Sequence, residues 1–319
     1  MIGLREIQDA RKTIRDQVKK TPLLRSRYLS GLTGSDVYLK LENLQVTNAF
    51  KIRGALNRLM KLSPEEKARG IITASSGNHA QAVAVGAETL NLNAIVVVPK
   101  ATPKIKVEKI RTHKVELILH GDSYDYAEEY ARKLSKEKGL TFISSYNDPV
   151  VVAGQGTVGL EILEELPTTD SIIVPVSGGS ILSGVAVAAK SIKPSIEILG
   201  AQPENVAAMY HSLKAGKIIH IPMKPTLAEG LDGNIEEGCM TFELIQKYVN
   251  EILLFDEDTV RRMIRILWEQ EGQVVEASGA IAIAPIVHTP SRFAGKRTVA
   301  VITGGNIDEA VFKSILEGK

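Results

Sequence analysis

Cysteine is nearly absent from the sequence, because Cys239 is the only one among 319 residues. A single cysteine cannot form an internal disulfide, so we expect a reducing, cytoplasmic location. Aromatic residues are also scarce at 5%, and the formal net charge is only +2. Nucleic-acid binding needs a concentrated basic surface with stacking rings. We therefore expect no nucleic-acid partner.

Long uninterrupted apolar runs are missing as well. No stretch approaches the roughly 18 uncharged apolar residues that a membrane-spanning helix requires. The amino terminus is amphipathic and charged, without the apolar core of a signal peptide. We therefore expect a soluble protein without a membrane partner.

Short apolar, β-branched runs alternate with helix-like segments along the chain. Continuous apolarity is typical of strands that are buried on both faces of a mostly parallel sheet, so the predicted fold class is α/β. No linker or repeat divides the chain, and any two domains must be intimately joined. Ligands of such folds bind outside the carboxyl ends of the strands. The predicted strands are 37–41, 71–73, 94–98, 115–119, 171–176, 196–200, 252–255 and 298–303, and the predicted helices include 64–69, 122–138 and 259–271.

Lys51 lies in the stretch NLQVTNAFKIRGALN (43–57), where a loop precedes a predicted helix. Thr47 or Asn48 is predicted to cap this helix. Lys51 shares a helix face with Ala55 and Arg58. Taken alone, these neighbours favour a solvated charge over an amine held for chemistry.

Three strand ends carry small polar residues that suit an anionic or aromatic ligand. Ser75-Ser76-Gly77-Asn78-His79 combines short donors with the free N–H groups of a helix amino terminus. Ser177-Gly178-Gly179-Ser180 is a glycine loop before an apolar helix, where a phosphate can bind. The hydroxyl of Thr303 can pair with a ring nitrogen without adding charge. Each stretch alone is also consistent with ordinary capping and turn chemistry.

Other site patterns are weak or missing. Residues 154–159 (GQGTVG) match a dinucleotide fingerprint, but the next strand lacks the terminal acid that binds ribose hydroxyls. We interpret this stretch as a loop that enters a closely packed helix. The six histidines lack paired metal-ligand spacing, and the G-x-S-x-G of a serine hydrolase is absent.

A junction lysine, a glycine loop, an amide and a terminal hydroxyl together suggest a phosphorylated cofactor held as an imine. The chain resembles the fold-type II pyridoxal-phosphate enzymes (tryptophan synthase β-like) of the threonine/serine dehydratase and serine racemase family. The matching stretches span nearly the whole chain: KLENLQVTNAFKIRGA (40–55), SSGNHAQAVA (75–84), AGQGTVGLEI (153–162), PVSGGSILSG (175–184), TLAEGLDG (226–233) and TGGNID (303–308).

The resemblance implies pyridoxal 5'-phosphate as the cofactor and a role for each matching residue. Lys51, next to Phe50 at the cofactor, would be the Schiff-base lysine and the catalytic base. Asn78 would contact the phenolic oxygen of the cofactor, and Thr303 would face its pyridine nitrogen. The remaining assignments are Ser177, Gly178, Gly179, Ser180 and Ile181 around the phosphate; Ser75, Ser76 and His79 near the substrate carboxylate, with Ser76 also at the position of the racemase proton donor; and Glu276 at an acidic position near the site.

The sequence departs from the family pattern in four places. The usual T-G-S-F-K reads Thr47-Asn48-Ala49-Phe50-Lys51, and serines stand at both ends of the glycine loop. Ser144-Ser145 replaces the usual His-Pro. The divalent-metal run of some members reads 202-QPENVAA-208 here, without its first and last carboxylates. We therefore expect no metal site.

The resemblance also implies two open, twisted, mostly parallel sheets in two domains. Residues 1–49 with 149–319 would form the larger, cofactor-binding domain, and residues 50–148 a smaller, mobile one. No carboxyl-terminal regulatory domain is expected, and the chain would form a homodimer or homotetramer.

The function that the resemblance implies is deamination of L-threonine, and of L-serine, to 2-oxobutyrate or pyruvate and ammonia by α,β-elimination. Four alternatives stay open. They are a serine or amino-acid racemase, a hydroxyaspartate dehydratase, a non-catalytic amino-acid-binding protein, and a nicotinamide dehydrogenase that would depend on residues 154–159 alone.

Overall fold

The computed structural model describes residues 2–318 and contains two sheets. One sheet has six strands in the order β1-β2-β10-β7-β8-β9, in which only β1 is antiparallel to its neighbour. The other sheet is fully parallel, in the order β5-β4-β3-β6. The strands are β1 Leu23–Arg25, β2 Val37–Leu41, β3 Ile71–Ala74, β4 Ala94–Val98, β5 Glu116–Leu119, β6 Thr141–Phe142, β7 Ser171–Pro175, β8 Glu197–Pro203, β9 Glu251–Phe255 and β10 Thr298–Ile302.

Fifteen α-helices connect and cover these strands within the described residues. None of the helices in residues 2–318 is long and apolar enough to cross a membrane. The helices are α1 Leu4–Ile14, α2 Arg27–Thr33, α3 Lys51–Met60, α4 Pro64–Arg69, α5 Asn78–Thr89, α6 Lys104–Arg111, α7 Tyr124–Lys138, α8 Pro149–Glu165, α9 Ser180–Ile192, α10 Ala208–Ala215, α11 Met240–Tyr248, α12 Glu257–Glu271, α13 Ala277–Ala280, α14 Ala284–His288 and α15 Glu309–Leu316.

The α/β prediction and the two mostly parallel sheets are confirmed. All eight predicted strands are present. Four of them, β3, β4, β7 and β10, consist entirely of buried residues, which explains their continuous apolar sequences. Strands β1 and β6 were not predicted. They have three and two residues, none of them buried, and carry no periodic signal. The domain boundaries at residues 49/50 and 148/149, and the mobility of residues 50–148, stay predictions.

The interpretation of residues 154–159 as a loop is wrong, because they lie inside α8. Asp148 caps this helix by accepting hydrogen bonds from the N–H groups of Val150 and Val151. A Cβ on Gly154 would lie 2.6 Å from the Arg53 carbonyl of α3, and one on Gly156 would lie 2.9 Å from the Gly184 carbonyl of α9. The glycines therefore allow α8 to pack closely between two helices.

The predicted cap of the lysine helix is also wrong. Helix α3 begins at Lys51 with Phe50 as its N-cap residue, and no side chain caps it. Asn48 instead takes a left-handed conformation, with φ of 54°. Asparagine is among the few residues other than glycine that tolerate this region. Asn48 can therefore stand where the family pattern has a glycine.

A buried ion cluster connects α3 to α8 and to the loop after β2. The guanidinium of Arg53 donates to both carboxylate oxygens of Glu42, at 2.7 and 2.8 Å, and to Glu161 at 2.6 and 3.0 Å. Lys40 Nζ lies 2.7 Å from Glu161 as well. Burial alone would lower the pKa of Arg53, but the carboxylates of Glu42 and Glu161 raise it above its usual value. Each of the four buried side chains therefore has a partner of opposite charge, which offsets the cost of removing it from water.

Replacing Arg53 with methionine tests the importance of this cluster. Arg53→Met keeps the apolar stem but leaves two buried carboxylates without their shared partner. We expect the free energy of unfolding to fall by about 3–5 kcal/mol, measured by denaturant titration. Arg292 is the matched control, since it also contacts two carboxylates but is partly exposed. Arg292→Met should cost about 1 kcal/mol or less, and equal losses in the two variants would contradict the prediction.

Candidate active site

The predicted site residues lie at the carboxyl ends of strands from both sheets. Ser75 to Asn78 follow β3, the 177–180 loop follows β7, and Thr303 follows β10. Lys51 joins them because the N–H of its neighbour Phe50 donates to the Thr303 carbonyl at 3.0 Å. An isolated bridge between Ala49 and Gly304 strengthens this link.

The Lys51 amine and the glycine loop meet at one carbonyl. Lys51 Nζ donates to the Ser145 carbonyl oxygen at 3.1 Å, and the Ser180 hydroxyl donates to the same oxygen at 3.3 Å. Burial lowers the pKa of Lys51 to about 8, although the nearby carboxyl of Glu276 opposes this shift. Lys51 thus has a larger neutral fraction near neutral pH than an ordinary lysine, and its side chain is less exposed than the solvated charge that its helix neighbours favour.

The 177–180 loop is shaped to leave backbone groups available. Gly179 is the N-cap residue of α9 and has φ of 88°, a conformation that favours glycine. A Cβ on Gly178 would lie 2.6 Å from the ring of Tyr146. The first N–H groups of α9, those of Ser180 and Ile181, have no partner within the helix and can bind an anion.

Tyr146 and Thr241 contact this loop, and no role was predicted for either of them. The ring of Tyr146 covers Gly178, and its hydroxyl accepts a hydrogen bond from the N–H of Glu236 at 3.1 Å. The Thr241 hydroxyl donates to the Gly178 carbonyl at 2.5 Å. Sequence spacing carries no signal for these contacts, because Thr241 is 63 residues from Gly178.

Asn78 and Glu276 form a hydrogen-bonded polar pair. Asn78 Nδ2 donates to Glu276 Oε1 at 2.6 Å. Burial raises the pKa of the Glu276 carboxyl to about 7, and the hydrogen bond from Asn78 limits the rise. A Cβ on Gly304 would overlap the same carboxyl, so a larger residue there would displace it.

His79, in the first turn of α5, is buried. Its Nε2 lies 3.1 Å from the Ile143 carbonyl, to which it donates. Burial and the charge of Lys51 lower the pKa of His79 to about 3, so the imidazole is neutral. No hydrogen-bond partner within residues 2–318 reaches its buried Nδ1.

Thr303, Ser75 and Ser76 complete the set of predicted residues. Thr303 is buried, and its hydroxyl donates to the Ser278 carbonyl at 3.3 Å. Ser75 accepts from the N–H of Gly77 at 3.3 Å, and Ser76 is half-buried in the same turn. The chain therefore combines an amine, an anion loop, an amide with a carboxyl partner, and a neutral hydroxyl.

These groups fit a phosphorylated aromatic aldehyde, since the amine can bind the aldehyde and the loop can bind the phosphate. The site therefore defines a protein that uses pyridoxal 5'-phosphate. The chain belongs to the family described as pyridoxal-phosphate dependent enzymes, whose profile matches residues 14–304. It has the fold-type II architecture of that cofactor class.

Characterised relatives match over almost the whole chain. The L-threonine ammonia-lyase of Thermotoga maritima is 42% identical over 99% of this chain and 78% of its own length. The catabolic L-threonine dehydratase TdcB of Escherichia coli is 38% identical over 96% of this chain and 94% of its own. The solved structure of maize serine racemase has a TM-score of 0.93 at 34% identity, covering 99% of this chain and 98% of the racemase.

The lowered pKa of Lys51 predicts how the amine reacts in the protein without cofactor. Only a neutral amine adds to an aldehyde, so the rate of Lys51 modification by a small aldehyde should rise with pH and level off above about 8. Borohydride trapping and peptide mass spectrometry measure this rate at Lys51. Glu276→Gln removes the charge that raises the pKa of Lys51. The pH at which the modification rate is half-maximal should therefore be lower in this variant. Glu164→Gln is a distant surface control, and an unchanged midpoint in Glu276→Gln would contradict the assignment.

Proposed function

We propose that the protein is a pyridoxal-phosphate-dependent ammonia-lyase that deaminates L-threonine, and L-serine, by α,β-elimination. The products are ammonia and 2-oxobutyrate from threonine, or pyruvate from serine. The observation that carries the proposal is the meeting of Lys51 and Ser180 at the Ser145 carbonyl. It puts a reactive amine beside an anion loop, and the full-length similarity to threonine ammonia-lyases and dehydratases supports the substrate.

The cofactor would be held from four sides. Lys51 would bind its aldehyde carbon, with Phe50 alongside, and Asn78 would donate to its phenolic oxygen. Thr303 would face the ring nitrogen, and Glu276 would lie beside the ring. The phosphate would be bound by the loop of Ser177, Gly178, Gly179, Ser180 and Ile181, whose N–H groups and hydroxyls are donors.

Substrate binding would use the turn before α5. The amino terminus of this helix offers free N–H groups, and Ser75 and Ser76 add hydroxyls, so a carboxylate is stabilised there. His79 stays neutral behind the turn, because its pKa is lowered to about 3. A neutral His79 positions the turn through the Ile143 carbonyl rather than acting as a base.

Lys51 is the proposed base. The amine of Lys51 would remove the α-proton of the bound substrate, and its lowered pKa favours the neutral form that does this. Bound pyridoxal 5'-phosphate supplies the electron sink for this step. Thr303 would offer the ring nitrogen a neutral hydroxyl that adds no charge, and this would favour prompt loss of the β-hydroxyl. The β-hydroxyl would take up a proton and leave as water, and a second water would hydrolyse the resulting enamine to the 2-oxo acid and ammonia.

Replacing Lys51 with alanine tests the assignment directly. Lys51→Ala should lower 2-oxo acid release from L-threonine by at least about 10³-fold, because both the attachment point and the base are lost. The purified variant should also lack the visible absorbance of covalently held cofactor. Lys61→Ala, at the exposed carboxyl end of α3, is the matched control and should keep both. Wild-type deamination in Lys51→Ala would exclude the proposal.

Racemisation is the second candidate, favoured by the structural similarity to maize serine racemase and by Ser76 in the turn before α5. A proton returned by Ser76 to the opposite face would invert the substrate instead of eliminating water. Chiral analysis of serine recovered from a partial reaction separates the two activities. Deamination is supported if recovered L-serine contains no D-serine while pyruvate accumulates.

The finer assignments are also proposals. We infer a cytoplasmic homodimer or homotetramer in which residues 1–49 and 149–319 bind the cofactor and residues 50–148 move. The buried state of the single cysteine, Cys239, is compatible with a reducing compartment. Sedimentation of the purified holoenzyme measures the oligomeric state.

A further inference from the structure

Asn306 connects three segments around Asn78, the residue that the proposed function places at the phenolic oxygen of the cofactor. The side-chain oxygen of Asn306 accepts a hydrogen bond from Lys109 Nζ of α6 at 2.9 Å. Its Nδ2 donates to Asn78 Oδ1 at 2.8 Å and to the Thr47 carbonyl at 2.9 Å. Asn306 thereby joins α6, the start of α5 and the loop before Lys51.

The direction of each bond is determined by groups that have only one hydrogen-bonding role. A lysine ammonium only donates and a carbonyl only accepts, so Lys109 and Thr47 determine which end of the Asn306 carboxamide faces each of them. Nδ2 of Asn306 then faces Asn78 and requires an oxygen there. The Nδ2 of Asn78 is consequently turned toward Glu276 Oε1, 2.6 Å away. The flipped Asn78 carboxamide would bring two N–H₂ groups together.

We propose that Asn306 is a positioning residue that holds the Asn78 carboxamide with its N–H₂ group toward the cofactor oxygen. The inference rests on the proposed function, which assigns Asn78 to that oxygen. A donor beside an ionised oxygen stabilises the charged form. Loss of the Asn306 donor therefore changes the protonation equilibrium of the bound cofactor as well as the rate.

Two variants separate the inner contacts of Asn306 from its surface contact. Asn306→Asp keeps the size and the Lys109 contact, but an ionised carboxylate cannot donate to Asn78 or Thr47. Lys109→Arg is the matched control. It changes the exposed contact but keeps the positive charge that lowers the pKa of the Glu276 carboxyl, while the Thr47 carbonyl still orients the carboxamide.

The experiment records the visible absorption of each holoenzyme as a function of pH, together with kcat and KM for L-threonine. In Asn306→Asp we expect the spectral titration midpoint to move by about one pH unit, equivalent to about 1.4 kcal/mol, and kcat to fall at least about tenfold. The thermal midpoint of the cofactor-free protein is recorded as well, because losing the hydrogen bonds to Asn78 and Thr47 also lowers stability. Lys109→Arg should keep the wild-type titration.

A wild-type titration and kcat in Asn306→Asp would overturn the inference. So would a lower thermal midpoint with an unchanged titration, because a merely structural role gives that result. If the variant does not fold, Asn306→Ala removes the same donor without adding charge, and it must show a shifted titration. The two proposals can fail separately. If the wild-type protein does not deaminate threonine but the spectral titration of Asn306→Asp is shifted, the proposed function is refuted and the positioning role stands.

A second proposal rests on residues 202–208, which join the end of β8 to the start of α10 and match the divalent-metal run of some family members. Gln202 is fully buried, its Nε2 donates to the Val206 carbonyl at 3.2 Å, and its oxygen accepts from the N–H of Tyr210 at 3.2 Å. Ala208 stands at the position of the last carboxylate. Residues 2–318 contain no group of three or more His, Cys, Asp or Glu that could hold a metal ion. An amide N–H₂ pointing at the carbonyl does not fit a cation that takes oxygen ligands.

We infer that the Gln202 carboxamide replaces the cation and closes this loop by itself. Stability and activity of the wild-type protein are then independent of divalent cations. Gln202→Glu removes the donor to Val206 and places a carboxylate beside its carbonyl, so a cation between the two oxygens becomes favourable.

Thermal midpoints in EDTA and in MgCl₂ test this second inference. The wild-type midpoint and deamination rate should be equal in the two solutions. The thermal midpoint of Gln202→Glu should be below the wild-type value in EDTA and should rise in MgCl₂. The thermal midpoint of Gln202→Leu should be below the wild-type value in both solutions. A wild-type response to MgCl₂, or a Gln202→Glu protein that does not respond, would overturn it.

Discussion

The guanidinium of Arg53 is buried between the carboxylates of Glu42 and Glu161, and much of the site depends on this arrangement. The two carboxylates belong to segments that lie before and after the four-stranded sheet in the chain. A buried charge must stay paired, so α3 cannot move relative to α8 without a large cost. Arg53 is in the first turn of α3, two residues after Lys51. The ion cluster therefore gives the reactive amine a defined position between the two sheets.

Two effects act on the pKa of Lys51 in opposite directions at that position. Burial lowers its pKa, whereas the Glu276 carboxyl raises it, and the result is about 8. The pKa of Glu276 is itself raised to about 7 by burial. Both groups can thus change protonation near neutral pH, which suits proton transfer in catalysis. The Ser145 carbonyl aligns the amine with the glycine loop, so the binding and reactive parts of the site share one hydrogen-bond acceptor.

The two local predictions that were wrong concern residue types that occur in two different kinds of structure. Asparagine favours both helix N-caps and left-handed turns, so Asn48 was predicted as a cap although it forms a left-handed turn before Lys51. Glycines mark loops, but they also mark helices in close contact, and Gly154 and Gly156 serve the second purpose in α8. Tyr146, Thr241 and Asn306 were given no role, because each acts on a residue that is distant in the chain.

The sequence by itself determined the α/β class, the positions of the long buried strands, and the small polar residues at their ends, because periodicity and turn chemistry are local. Its motifs also indicated the cofactor family, which the comparisons confirmed. Only the tertiary structure brought Lys51 to the Ser145 carbonyl, lowered its pKa and turned the Asn78 carboxamide toward Glu276. These features depend on burial and on contacts between segments as much as 259 residues apart, which no local pattern encodes.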